Sequence, residues 1–176
     1  MRVLVTWGSK RGGTAGIGQM IAIMLEARGI DVVAVPVAEA RSLAPFDAAI
    51  VGGALYANRW HAGVSRWVSR HTAELRRIPV WFFSSGPLDD SADRTVIPPT
   101  KQVAGLAARV GARGHVTFGG RLAPDAKGFI ARAMAKTHSG DWRNPFLVRA
   151  WAAEIAEALR PAATPGADVD HYAEVA

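Results

Sequence analysis

Arg2-Val3-Leu4-Val5-Thr6-Trp7-Gly8-Ser9-Lys10-Arg11-Gly12-Gly13-Thr14-Ala15-Gly16-Ile17 runs through three local structures in succession. The run Val3 to Trp7 is short, apolar and rich in valine, as a buried strand is. It stops at a glycine-rich stretch, beyond which Ile17, Met20, Ile21, Met24 and Leu25 recur at helical spacing. Strand, glycine-rich loop and helix in that order open a parallel-sheet α/β domain. The loop then lies at the positive end of a helix, where amides and hydroxyls converge on an anion, most naturally a phosphate.

Working outward, the same alternation continues. Gly29 ends the first helix, Val32 to Val35 reads as a second strand halted by Pro36, and Ala48 to Val51 reads as a third. A loop is expected at 52 to 61, followed by an amphipathic helix carrying Val64, Trp67, Val68, His71 and Leu75. Val80-Trp81-Phe82-Phe83 is apolar on both faces and so predicts a central strand. A polar loop at 84 to 99 leads to a helix with Val103, Leu106, Ala107 and Val110, then to a short strand, Val116 to Phe118. Asn144-Pro145 starts a last helix with the stripe Val148, Trp151, Ile155 and Leu159. Right-handed crossovers make the expected fold an α/β doubly wound, five-stranded parallel sheet in the order 2-1-3-4-5 with helices on both faces. Residues 1–160 form the domain, and 161–176 read as a disordered acidic tail. Ligands in such sheets sit beyond the strand carboxyl ends at the switch point, here between strands one and three.

The chain has 176 residues, 49% apolar, with no cysteine. That length favours one domain, and the absent thiols exclude disulfides, thiolate metal sites and cysteine nucleophiles; no metal site is expected. No apolar stretch approaches the roughly 18 residues of a membrane span, and the start lacks a signal peptide's apolar core, so a cytoplasmic protein is expected. There are 21 Lys and Arg against 15 Asp and Glu. The tail holds Asp168, Asp170 and Glu174 and no Lys or Arg, so residues 1–160 carry a net +9. Arginine-rich runs interleaved with aromatics are not evident, and no nucleic-acid partner is expected.

The loop after the first strand is neither a P-loop nor a dinucleotide fingerprint. No Gly-Lys-Ser/Thr stands at the required spacing, Gly-x-Gly-x-x-Gly is out of register, and strand two ends in Val35-Pro36-Val37 rather than an acidic residue. A phosphoacceptor receiver needs acidic residues where this chain has Thr6-Trp7-Gly8.

Ser9-x-x-Gly12-x-Thr14 resembles the FMN phosphate loop of flavodoxins. Four further stretches resemble the flavodoxin-like branch that contains menaquinone-dependent protoporphyrinogen oxidase. They are Gly52-Gly53-Ala54-Leu55-Tyr56-Ala57-Asn58-Arg59-Trp60-His61 before a helix, Phe82-Phe83-Ser84, Phe118-Gly119-Gly120-Arg121-Leu122, and Thr137-His138-Ser139-Gly140. The resemblance implies FMN, with its phosphate held by Ser9, Lys10, Arg11, Gly12, Gly13 and Thr14. It places the ring between Ala54, Leu55, Tyr56, Ala57 and Asn58 on one side and Ser84, Ser85 and Gly86 on the other. Leu55, Tyr56 and Trp60 have the flat or apolar side chains a ring site needs, though Tyr56 and Trp60 also read as simple packing residues. The implied function is an FMN-dependent oxidoreductase passing electrons from a reduced donor to an acceptor such as a quinone. The alternative is an electron-transfer module without a substrate of its own.

His61 has two readings, a proton gate beside the flavin and a helix-start residue facing solvent. His71, on an apolar stripe, reads as a hydrogen-bonded core histidine. Residues 121–149 carry Arg121, Lys127, Arg132, Lys136, Arg143 and Arg149 against Asp125 and Asp141, with Phe129, Ile130, Ala133 and Met134 at helical spacing. Such a stretch is either a solvated basic helix or a peripheral contact with an anionic membrane where a quinone would be met. The partner implied is a small-molecule or protein redox partner, with a homodimer as a further arrangement.

Overall fold

The computed structural model describes residues 1–9, 12–122 and 139–160. Lys10, Arg11, the stretch around Phe129 to Met134, Thr137 and His138, and the tail from Pro161 lie outside the described residues.

Strands β1 (Arg2–Gly8), β2 (Asp31–Pro36), β3 (Ala48–Tyr56), β5 (Val80–Ser85) and β6 (Gly114–Phe118) pair in parallel in the order β2-β1-β3-β5-β6. This is the expected 2-1-3-4-5 sheet, the shift in numbering coming from β4 (Arg59–Trp60), a two-residue arm that pairs antiparallel with β3. Helices α1 (Gly13–Glu26) and α6 (Pro145–Ala158) cover one face with Val3, Val5, Ile17, Ile21, Leu25, Ile50, Phe83, Val148 and Ile155. Helices α2 (Ala62–Arg70), α3 (Thr72–Leu75) and α5 (Lys101–Val110) cover the other with Leu4, Val51, Val64, Val68, Leu75, Phe82, Val103 and Leu106. Each central strand sends alternate residues into the two cores, which is why β5 is buried along its whole length. Among the described residues no helix is long and apolar enough to cross a membrane.

The structure changes the expected boundaries at four places. The loop expected at 52 to 61 is mostly strand, because β3 continues through Gly52 and Gly53 to Tyr56. Those glycines act as floors for rings rather than strand breakers. A β-carbon on Gly52 would stand 2.0 Å from Phe83 Cζ, and one on Gly53 would stand 2.5 Å from Trp60 Cγ. The helix expected through Leu75 breaks at His71, where Thr72 Oγ1 donates to the carbonyls of Val68 and Ser69 and competes with the helical bonds. In the loop expected at 84 to 99 the strand runs on to Ser85 and a single helical turn, α4 (Ser91–Arg94), follows. After β6 a two-stranded ribbon appears, β7 (Arg121–Leu122) antiparallel to β8 (Gly140–Asp141). The last helix starts as the sequence predicts, with Asn144 Oδ1 accepting from the amides of Phe146 and Leu147.

Candidate functional site

The carboxyl ends of β1, β3, β5 and β6 lie along one edge of the sheet, and the segments that follow them converge there. Past β1, Gly12 caps α1 with φ of 75°, a left-handed conformation that glycine adopts without strain. Gly16 is the first residue of α1 whose amide closes the helical ladder, onto Gly12 O at 3.1 Å. The first-turn amides of Gly13, Thr14 and Ala15 therefore have no helical acceptor. Beside them Thr14 is 1% exposed, and its Oγ1 has no hydrogen-bond partner. A buried hydroxyl without a partner costs about 1–3 kcal/mol, and here it stands among amide donors at the positive end of a helix. This donor set fits a phosphate. Ser9 is half-buried, immediately before the loop.

Past β3 the chain turns at Ala57 and Asn58, whose φ angles are 47° and 59°, and returns as β4 with Leu55 opposite Trp60 and Tyr56 opposite Arg59. Two left-handed residues in a two-residue hairpin make a type I′ turn, for which asparagine is favourable and alanine is not. Past β5 the backbone at Gly86 rests on this hairpin. A β-carbon on Gly86 would stand 2.9 Å from Leu55 Cδ1, and its amide donates to Phe118 O at 3.2 Å. The structure thus brings the Ala54–Asn58 and Ser84–Gly86 segments together. Leu55 and Tyr56 are half-buried at the rim, while Ala57 and Asn58 are exposed.

Trp60 is not at the rim. It is 2% exposed, its ring centroid lies 4.8 Å from that of Phe82, and its Nε1–H donates to Ser84 Oγ at 2.8 Å. Trp60 is a core residue, and of the aromatic pair considered for the ring wall only Tyr56 reaches the edge. The Ser84 hydroxyl is likewise turned into the core, because it stands 2.9 Å from His115 Nε2 as well. Ser84 offers a ligand its backbone, not its side chain.

His115 escaped the sequence reading. The strand was expected from Val116, whereas β6 begins at Gly114 and pairs His115 with Phe82. Alternation back from buried Thr117 is the signal that places His115 on the same face. Its Nδ1 is buried without a partner, and burial pushes the imidazole down to about 4, so the ring is neutral at pH 7.

His61 is the N-cap of α2, its Nδ1 accepting from Gly63 N–H at 3.3 Å. That acceptor role leaves the proton of the neutral ring on Nε2. The ring stands edge-on to Tyr56 with centroids 6.4 Å apart, so the helix-start position also puts the imidazole beside the hairpin. His71 is the core histidine expected, against Trp67 and with Nδ1 2.8 Å from Glu74 Oε2.

Residues from much later in the chain also reach the first turn of α1. The β7–β8 ribbon lies against the first turn of α1, so that a β-carbon on Gly13 would stand 3.4 Å from Arg121 Cβ. A β-carbon on Gly16 would stand 2.0 Å from Arg143 Nη1. Arg143 donates through Nε and Nη2 to the Asp141 carboxylate, and through Nη1 to Gly13 O at 3.4 Å. The Arg143 guanidinium holds the Asp141 carboxyl below its ordinary range. These two basic residues of the 121–149 segment were expected at a surface, and the tertiary structure sets them beside the phosphate loop.

The Flavodoxin domain family profile matches residues 4–139. No curated protein matches the chain. Among solved structures, a flavodoxin from the domain Archaea is 12% identical with a TM-score of 0.62, covering 90% of this chain and 98% of its own. A cysteine-to-serine mutant of flavodoxin from Pseudomonas aeruginosa is 18% identical with a TM-score of 0.60, covering 90% and 99%. Rubredoxin oxygen:oxidoreductase from Desulfovibrio gigas is 14% identical with a TM-score of 0.62, the match taking in 90% of this chain and 36% of that one.

Proposed function

The chain belongs to the flavodoxin domain family, and from that premise we propose that it binds FMN at this edge and serves as an electron-transfer protein. The observation that carries this reading is the buried, partnerless Thr14 hydroxyl in the first turn of α1. FMN, when bound, supplies one- and two-electron chemistry that no side chain here has. The residues assigned to its phosphate are Ser9, Lys10, Arg11, Gly12, Gly13 and Thr14, the amides and hydroxyls orienting the group and the two cations matching its charge. Leu55, Tyr56 and the Gly86 backbone would wall a flat ring against water, and backbone groups of Ala54 to Asn58 would be the ones to meet its polar edge. His61, with Nδ1 occupied by the cap, holds its proton on Nε2 next to Tyr56 and is the residue placed to pass a proton at that rim.

The finer reading is an oxidoreductase with a quinone-type acceptor, as in the protoporphyrinogen oxidase branch that the hairpin sequence resembles. One feature of the structure supports a surface contact for such an acceptor. Phe146 is 80% exposed and Leu147 is 39% exposed at the start of α6, beside exposed Arg149. An apolar pair next to a cation suits an anionic membrane surface. The test of the whole reading is the visible spectrum of the purified chain and its titration with FMN. Flavin bands that persist through gel filtration are expected; a colourless protein that takes up no added FMN would remove the reading. Turnover of a reduced flavin against a soluble quinone then separates the oxidoreductase from the electron shuttle.

A further inference from the structure

Cations at the amino end of a helix oppose its dipole when no anion accompanies them. Arg121 and Arg143 both stand at the amino end of α1, and they arrive from a ribbon more than a hundred residues away in sequence. Among the described residues, Asp141 is the acidic group paired with them, at 3.9 Å from Arg121 Nε and in a two-pronged contact with Arg143. One carboxylate is shared between two guanidinium groups, and among the described residues no second carboxylate is paired with either arginine.

The two arginines also differ in setting. The Arg143 side chain is 16% exposed and fully engaged, with its fork on Asp141 and its remaining arm on Gly13 O. The Arg121 side chain is 49% exposed and touches Asp141 only at long range, so most of its five N–H groups remain for another acceptor. The ribbon at Arg121 lies in van der Waals reach of Gly13, and Gly16, lacking a side chain, leaves the space that the Arg143 guanidinium fills. Within the same turn Thr14 Oγ1 is buried without a partner, a second and separate sign that an oxygen-rich anion belongs there.

We propose that the β7–β8 ribbon is part of the phosphate site: Arg121 pairs with the bound phosphate dianion, and Arg143, locked by Asp141, is a positioning residue that holds the first turn of α1 in shape to receive it. The proposal rests on the flavin reading for the identity of the cofactor, but not for the anion itself. It makes phosphate recognition here a matter of charge as well as of amides and hydroxyls, and it gives the site a salt dependence.

The experiment uses the full chain and two probes, inorganic phosphate and the FMN–riboflavin pair. Thermal unfolding is followed in phosphate and in chloride at equal ionic strength, and flavin affinities are titrated at low and high salt. Phosphate should raise the melting temperature of the wild type beyond the effect of chloride, and Arg121→Gln should abolish the difference. Arg121→Gln should weaken FMN about fivefold to tenfold, leave riboflavin unchanged and flatten the salt dependence. Arg143→Gln should also weaken FMN, with Arg143→Lys restoring it only in part because an ammonium cannot make the fork. An Arg121→Gln protein with the wild-type FMN-to-riboflavin ratio and the wild-type response to phosphate would overturn the proposal. So would a wild type that phosphate stabilises no more than chloride does. If neither flavin binds the wild type while phosphate still stabilises it through Arg121, the flavin reading falls and the ribbon site stands.

Discussion

The two ends of the proposed flavin site are built in opposite ways. The ring end, around the β3–β4 hairpin, is held by contact: Phe83 on Gly52, Trp60 on Gly53, Leu55 on Gly86, and a neutral hydrogen-bonded chain from buried Trp60 through Ser84 to half-buried His115. The phosphate end is held by charge and by unmet hydrogen-bonding capacity: amides without acceptors, a buried hydroxyl without a partner, and two arginines at a positive helix end. The ring end therefore answers to packing and to acid, whereas the phosphate end gains most from a ligand. On the proposed reading, the ring end should keep its packing without a cofactor, and part of the phosphate end's stability should come from binding one.

The sharpest way to break the comparison is at Trp60. Trp60→Ala removes a side chain that is 2% exposed and takes from the Ser84 hydroxyl one of its two hydrogen-bond partners, and should cost about 4 kcal/mol in chemical denaturation. A loss near about 1 kcal/mol would mean that contact does not hold the ring end.

His115 gives the next effect. Its ring is neutral in the folded state down to about pH 4 but takes up a proton in the unfolded chain below about pH 6.5. The unfolded state then binds more protons, so stability falls as the pH drops from about 6.5 to about 4 and is not lost further below that. The contribution is about 2 kcal/mol, since the ring retains some contact with solvent. His115→Leu should flatten this part of the pH–stability profile, and an unchanged slope would place the acid sensitivity elsewhere.

The smallest effect separates the two ends most clearly. Thr14→Val replaces a partnerless buried hydroxyl by a methyl of the same shape, so the ligand-free protein should keep its stability or gain about 1 kcal/mol. The same change should weaken FMN by about 1–2 kcal/mol while sparing riboflavin. A loss of stability without ligand would show that the hydroxyl has a structural partner after all.

The fold was largely legible because a parallel sheet covered on both faces writes itself as short apolar runs alternating with helical stripes. Val3 to Trp7 and Val80 to Phe83 needed no context. The candidate phosphate loop could be picked out for a related reason, since its residues are contiguous and lie between a strand and a helix. The hairpin was less so: Gly52 and Gly53 look like a loop until the rings of Phe83 and Trp60 are known to lie on them. Trp60 and Ser84 looked like ligand contacts because sequence gives a residue's distance along the chain but not the side of the sheet to which a late strand turns it.

By itself the sequence determined the order of elements, the parallel topology with its switch point, and the place of the glycine-rich turn at the start of one helix, the candidate anion site. These follow from local periodicity and from residues adjacent in the chain. Only the tertiary structure decided that Arg121 and Arg143 meet the first turn of α1, that Trp60 is core, and that the half-buried His115 is a neutral ring beside Ser84. Each depends on pairing between segments tens to more than a hundred residues apart. Such pairings are fixed by how strands register and which face a helix covers, and no local pattern carries that information.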